Sequence, residues 1–174
     1  YIKKYFKHYM ILQYFKKKEN KEQIIATEQY KKILKESNLF LFKNNFFKEK
    51  NYKISFEIIT IFLIMFIRKN LLENNKKFYQ RVNEQLVSLF IYDLDASLRD
   101  KGIGDMSIGK YVKSYVKKFY FRLSKFPYET NKIDESHFLD YLQSFELVSS
   151  EKKIEAARVF LEVFNNLSDS YKVK

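Results

Sequence analysis

The sequence predicts an all-α protein, a single-domain bundle of about six or seven helices with a basic N-terminal helix or arm. Three observations support this class. The 174 residues include one proline and three glycines, too few for the many tight turns of a β-sandwich or β-barrel. Apolar residues make up 46% of the chain, enough to bury a core. They recur at spacings of three and four over most of the sequence, as on one face of a helix.

The first predicted element is basic and aromatic. Residues 1–29 carry tyrosine, phenylalanine and leucine at helical spacing among lysines, which predicts a helix or arm that precedes the main domain. Residues 30–174 form that main domain, and its opening helix begins with Tyr30 and Ile33. Because the chain starts with Tyr1 instead of methionine, we expect it to be a fragment or a processed product.

The most apolar segment, residues 58–67, is a candidate membrane span. It has only ten residues between Glu57 and Arg68, whereas a spanning helix needs about 20. We therefore predict no transmembrane span and a central helix that is buried on all sides. A buried strand is the alternative, because the segment is rich in isoleucine.

Two helices are predicted on either side of a stretch that holds all three glycines. Apolar periodicity predicts a helix from about residue 76 to 99 that stops at Gly102, since glycine is common just past a helix end. Ser107 is the predicted N-cap of the next helix, and Pro127 ends it. The tail predicts two more helices, around residues 135–145 and 151–167.

Positive charge is concentrated in two regions. The chain has a net charge of +12, with +9 in residues 1–53 and +6 in residues 101–127. Such regions predict an anionic partner, namely RNA, a ribosome surface or an acidic lipid face, and the alternative is a surface that serves only solubility. The second region forms one half of a helical wheel, opposite the apolar positions. Its lysines are Lys110, Lys113, Lys117, Lys118 and Lys125.

Catalytic and metal chemistry find little support in the sequence. The chain has no cysteine, hence no thiolate ligand or nucleophile. Residues 104–110 match a phosphate-binding loop, but Tyr111 stands where a short hydroxyl should reach Mg²⁺. The two histidines, His8 and His137, are far apart and make no metal site. We predict no cofactor, no metal and no enzymatic activity.

The aspartates before the glycines suggest a calcium loop, yet its required glutamate is replaced by Gly104. Asp93 and Asp95 would also point about 200° apart on a helix. We therefore expect surface or capping carboxylates. Asp93 and Asp100, seven residues apart, would then line one face opposite a basic partner.

The same stretch resembles the ubiquinol–cytochrome c chaperone family, and most closely its bacterial members. The family pattern is D-L-D-x-S-L-R-(D/E)-x-G-(I/V)-G-D-(L/M)-S-(I/V)-G-K, followed by a lysine-rich helix with F-Y-x-R. The resemblance covers about residues 30–127, and Phe62 stands where a histidine is expected in the apolar helix. The matching residues are Asp93, Asp95, Ser97, Leu98, Arg99, Gly102, Gly104, Asp105, Gly109, Lys110, Lys113, Phe119, Tyr120 and Arg122.

The resemblance implies a non-enzymatic assembly chaperone for respiratory complex III that binds newly made cytochrome b near the ribosome or membrane. It implies as partners cytochrome b or its nascent chain, the ribosome surface and a small partner protein. The basic faces of the chain predict, in addition, peripheral contact with an anionic membrane. The implied location is the bacterial cytoplasm at the inner face of the membrane, or the matrix side of the mitochondrial inner membrane. Charge alone supports the alternative, a general RNA- or ribosome-binding helical module. The predicted partner-binding residues are Asp93, Asp95, Arg99, Gly102, Gly104, Asp105, Gly109, Lys110, Lys113 and Lys117.

Overall fold

The computed structural model of the protein describes residues 20–47, 51–127, 135–144, 148 and 150–169. No strand occurs within these ranges, and the predicted all-α class and helix number are confirmed. The helices are α1 (Lys21–Lys43), α2 (Tyr52–Asn70), α3 (Lys76–Asp100), α4 (Asp105–Lys125), α5 (Glu135–Gln143) and α6 (Lys153–Asp169), with a 3₁₀ turn at Ser150–Lys152.

Helix α1 begins with a reciprocal cap. The Gln23 N–H donates to Asn20 Oδ1 at 2.9 Å, and the Asn20 N–H donates to Gln23 Oε1 at 3.2 Å, which satisfies two backbone donors that a helix start leaves open. The helix then continues past residue 30, so the predicted boundary between residues 29 and 30 falls inside it. Residues 1–19 of the predicted arm lie outside the described residues, and the division into arm and main domain stays a prediction.

Helix α2 forms the centre of the bundle. Residues 54–67 are all buried, because α1, α3, α4 and α6 pack around them. The predicted central helix is therefore confirmed. Among the described residues, no helix combines the length and hydropathy that crossing a bilayer requires.

Phe62 is part of the aromatic core. Its side chain is fully buried, and its ring centroid lies 5.7 Å from that of Phe40 in α1 and 6.1 Å from that of Phe160 in α6. Phe40 and Phe160 are themselves stacked at 4.1 Å. The position where the family is expected to have a histidine thus serves packing in this chain.

Buried amides fix one end of the bundle. Gln29 and Asn70 exchange two hydrogen bonds of 2.9 Å, which join α1 to α2. Asn70 also donates to Asn83 Oδ1 in α3 at 2.7 Å, and Asn83 donates to the Ile67 carbonyl at 3.2 Å. Buried polar groups with partners of this kind set the relative positions of the helices, since any other arrangement would leave some of them unpaired.

Candidate partner-binding surface

A fixed turn joins α3 to α4. Gly102 has φ of +84°, its N–H donates to the Arg99 carbonyl at 2.8 Å, and the Ile103 N–H donates to the Leu98 carbonyl at 3.3 Å. These two bonds define a Schellman motif, which needs a residue in the left-handed backbone conformation, and glycine is the usual choice. Gly102 therefore ends α3 as predicted.

Helix α4 starts earlier than the sequence indicated. Gly104 is its N-cap in an extended conformation, with φ of −69° and ψ of 158°, and its carbonyl accepts from the Ser107 N–H at 2.9 Å. The prediction that Ser107 caps the helix is wrong, because the glycine carbonyl already starts the hydrogen-bond ladder and Ser107 lies in the first turn. A Cβ at Gly104 or Gly109 would meet no atom within 4 Å, so packing requires neither glycine.

An exposed chain of charges spans this turn. Arg99 Nε donates to Asp95 Oδ2 at 2.6 Å, and its Nη1 donates to Asp105 Oδ1. The hydrogen bond to Asp95, followed by that to Asp105, raises the pKa of Arg99. The structure thus brings three predicted site residues together. Their charges face one another, and exposed pairs of this kind contribute little stability.

Asp93 lies inside the protein. The residue is only 8% exposed, and the Tyr30 hydroxyl donates to its Oδ2 at 3.0 Å. The expectation of a surface carboxylate that shares a face with Asp100 is wrong, because Asp100 is exposed whereas Asp93 points toward α1. Asp93 follows Leu86 by seven residues and Phe90 by three, so it lies in the buried stripe of α3.

A small cavity lined by four polar and four apolar residues lies beside this carboxylate. It measures about 20 Å³, and Tyr30, Tyr52, Asp93 and Ser97 are among its lining residues; this is room for a single water molecule. The Tyr52 hydroxyl lies 3.0 Å from Ser97 Oγ, and burial raises the pKa of Tyr52 to about 12. Lys101 Nζ sits 3.7 Å from the Tyr52 ring centroid, and burial lowers the pKa of Lys101.

The inner edge of α4 grips a buried carboxylate that the sequence analysis missed. The Glu57 side chain in α2 is 1% exposed, Lys118 Nζ contacts its Oε1, and Arg122 Nε lies 3.4 Å from its Oε2. Lys118 was predicted on the basic half of the helical wheel with Lys110; it lies at the edge of that half, and its side chain turns inward to Glu57. It lies about 80° around the helix from Lys110, at the border of the buried stripe, where Glu57 attracts it inward. The sequence indication of this contact was Glu57 itself, an acidic residue directly before the most apolar segment.

The opposite side of α4 faces solvent. Met106 is fully exposed and Phe121 is 55% exposed, although both are large and apolar. Four lysines on this side are exposed, and none of them forms an ion pair with a residue that the structure describes: Lys110, Lys113, Lys117 and Lys125. The sequence predicted the lysines but not the apolar residues that accompany them. We call this surface the α4 outer face: Met106, Lys110, Lys113, Lys117, Phe121 and Lys125.

An open groove adjoins this surface. It lies between the end of α2 and α4, has a volume of about 300 Å³, and Leu71, Tyr120 and Leu123 are among its lining residues. Leu71 and Tyr120 are both exposed, as is Leu72 beside them. Arg68 Nη2 donates to the Leu123 carbonyl at 3.1 Å and holds the floor of the groove. We call this feature the α2–α4 groove.

The fold and its surface define an all-helical protein with a basic helix face beside an apolar groove. The model of the ubiquinol-cytochrome C chaperone family matches residues 47–143. The chain therefore belongs to that family, and the resemblance predicted from the sequence is confirmed. The matched region contains α2 to α5, including the α3–α4 turn, the α4 outer face and the α2–α4 groove.

One solved structure shows the same fold. The crystal structure of the Cbp3 homolog from Brucella abortus matches with a TM-score of 0.67 and 19% sequence identity, over 95% of this chain and 90% of that chain. A comparison with curated protein sequences gave no match.

Proposed function

We propose that the protein is a non-enzymatic assembly chaperone for respiratory complex III and that its client is newly made cytochrome b. The observation that carries this proposal is the family match over residues 47–143. The matched helices present the exposed apolar side chains that a binding function needs. An exposed apolar patch with a polar rim is typical of a site for another protein.

The α2–α4 groove is the part of the surface best suited to such a client. Cytochrome b is a membrane protein, so its newly made segments are apolar and need cover from water. Leu71, Leu72 and Tyr120 are 43%, 40% and 51% exposed, and together they offer aliphatic and aromatic contact area beside the groove. Tyrosine is one of the residues that most often anchor a protein interface, and the two leucines add apolar contact area beside Tyr120.

The predicted partner-binding residues take different roles in this proposal. Asp95, Arg99 and Asp105 are joined across the turn that positions α4. Gly102 provides the left-handed backbone of this turn, and Gly104 is the N-cap of α4. Asp93 acts inside the bundle through Tyr30. The four remaining residues lie on the exposed part of α4 and are available to a partner: Gly109, Lys110, Lys113 and Lys117.

Affinity purification of the tagged protein from native membranes tests the proposal. We expect cytochrome b among the bound proteins, and we expect less of it with a Leu71→Ser/Tyr120→Ser variant. The matched control is Leu39→Ser/Phe42→Ser, which changes exposed apolar residues on α1. If both variants retain cytochrome b equally, the groove is not the client site.

The same purification separates the alternative function. A general RNA- or ribosome-binding module would bring ribosomal proteins or RNA without cytochrome b, and their amount would fall steeply with salt. That result would replace the chaperone proposal. Ribosomal proteins together with cytochrome b would instead place the chaperone at the site of synthesis, on the cytoplasmic face of a bacterial membrane or the matrix face of a mitochondrial one.

A further inference from the structure

We infer that the α4 outer face docks on an anionic membrane surface, with α4 parallel to the membrane plane. The inference rests on the proposed function only in setting the protein beside a membrane. Its geometry comes from the side chains of α4, and its test uses lipid alone.

The α4 outer face has the layout of a helix that lies in a membrane interface. Met106 and Phe121 are fifteen residues apart, which is about 22 Å along the helix axis, and they lie within about 60° of each other around it. Both therefore reach one flat surface at the same time. Lys110 and Lys117 lie between them, where their amines meet headgroups while the apolar side chains enter the boundary below.

The charges near this surface leave the lysines unopposed. Asp105, the one acid in residues 101–127, is bound to Arg99. Glu57 is buried and is held by Lys118 and Arg122. The positive field of the outer lysines is thus directed away from the protein, and anionic lipid headgroups attract lysines that come within a Debye length.

Lipid fits this face better than RNA or the client does. Met106 is fully exposed at one end, and its aliphatic side chain inserts into an acyl boundary but offers a base no flat ring to stack on. Phe121 is the one ring on this face, fewer than the successive aromatic side chains on which a single-stranded nucleic acid stacks. The short cytoplasmic loops of membrane proteins carry an excess of Lys and Arg, so a client's loops would be repelled by the lysines. The α4 outer face and the α2–α4 groove therefore serve different partners.

Tryptophan fluorescence provides a direct test, because the chain has no tryptophan. The Phe121→Trp variant carries a single reporter on the α4 outer face, and Phe42→Trp carries one at a position on α1 that is 53% exposed. Both are mixed with vesicles of phosphatidylcholine, or of equal parts phosphatidylcholine and phosphatidylglycerol. We expect a shift to shorter wavelength only for Phe121→Trp and only with the anionic vesicles. No shift, or an equal shift of both reporters, would overturn the inference.

Charge reversal provides the second test, by co-sedimentation with the same anionic vesicles. The variant Lys110→Glu/Lys113→Glu/Lys117→Glu should bind at least about 100-fold more weakly, since the loss of each lysine near an anionic surface removes about a fivefold factor and each new glutamate adds repulsion. The control, Lys31→Glu/Lys35→Glu/Lys77→Glu, has the same change in net charge at exposed positions. Equal losses in the two variants would show that net charge, and not the α4 outer face, binds the vesicles.

A third variant separates lipid from nucleic acid. Met106→Ser/Phe121→Ser should weaken vesicle binding and leave binding of single-stranded RNA unchanged. If this variant binds vesicles as well as the parent does, the apolar side chains do not enter the lipid and the inference fails. If RNA displaces the parent protein from vesicles, the face belongs to a nucleic acid and the inference also fails. Circular dichroism checks that each variant is folded. Because the vesicles contain no protein, a failure here does not alter the cytochrome b result, and the reverse also holds.

Discussion

Removal of the buried charge on Glu57 should destabilise the protein strongly. The side chain is 1% exposed, and its partners Lys118 and Arg122 are 33% and 11% exposed. In a Glu57→Gln variant Lys118 can turn toward water, but Arg122 stays buried and loses the carboxylate beside it. Breaking a buried pair in this way costs about 3–5 kcal/mol, which is a large share of the roughly 5–15 kcal/mol that stabilises a typical domain. For a chain of this length we expect the Tm to fall by about 10 °C.

Urea unfolding followed by circular dichroism measures this cost. The matched control is Glu135→Gln, because Glu135 pairs with Arg158 at 3.1 Å with both side chains more than half exposed. That variant should lose less than about 1 kcal/mol.

A double variant tests the reason for the loss. Replacing both residues, in Glu57→Leu/Arg122→Met, removes both buried charges and fills the space with apolar atoms, so most of the stability should return. The reasoning is refuted if Glu57→Gln costs no more than Glu135→Gln. It is also refuted if the double variant is as unstable as Glu57→Gln.

Two further predictions follow from the α3–α4 turn and from Tyr52. Gly102→Ala should reduce the free energy of unfolding by about 1–2 kcal/mol, because an L-residue is strained at a φ of +84°. Gly104→Ser should be neutral or slightly stabilising, because φ is −69° there and serine is a good N-cap. Equal costs of the two variants in urea unfolding would contradict this prediction. Burial raises the pKa of Tyr52 from 10.0 to about 12, so the folded state holds the tyrosine proton more tightly than the unfolded state does. The free energy of unfolding should therefore be unaffected below about pH 10 and should fall by up to about 2 kcal/mol between pH 10 and pH 12. Tyr52→Phe should make that fall shallower, and identical pH profiles for the two proteins would rule out this assignment.

Much of the fold could be predicted from the sequence because it depends on local patterns. Residues 58–67 are apolar on every side, and a helix with that pattern has to lie at the centre of a bundle. Gly102 ends α3 through hydrogen bonds to residues at most five positions away. Neither prediction needs knowledge of which helices are neighbours.

The position of polar residues at the border of a helix face could not be predicted in the same way. Asp93 is buried because Tyr30, 63 residues earlier, donates to it, and Lys118 turns inward because Glu57 lies across from it in α2. A helical wheel gives the direction of a side chain but does not identify the partner that offsets the free-energy cost of burying it. Phe121 is exposed although an aromatic residue is expected inside. The packing of α4 explains this, because the side of the helix that carries Phe121 has no neighbour among the described residues.

Because α4 is buried only in part, it should open locally more often than the rest of the protein. Only three of its 21 residues are buried, Ile108, Phe119 and Arg122, whereas most of α2 is. Its backbone amides should therefore exchange with solvent deuterium through local openings that leave the amides of α2 protected. A ligand that binds only the closed form of α4 raises the free energy of such openings by RT ln(1 + L/Kd), where L is the free ligand concentration. Slower deuterium uptake along α4 alone would thus report any partner bound to this helix, whether or not the partner is known.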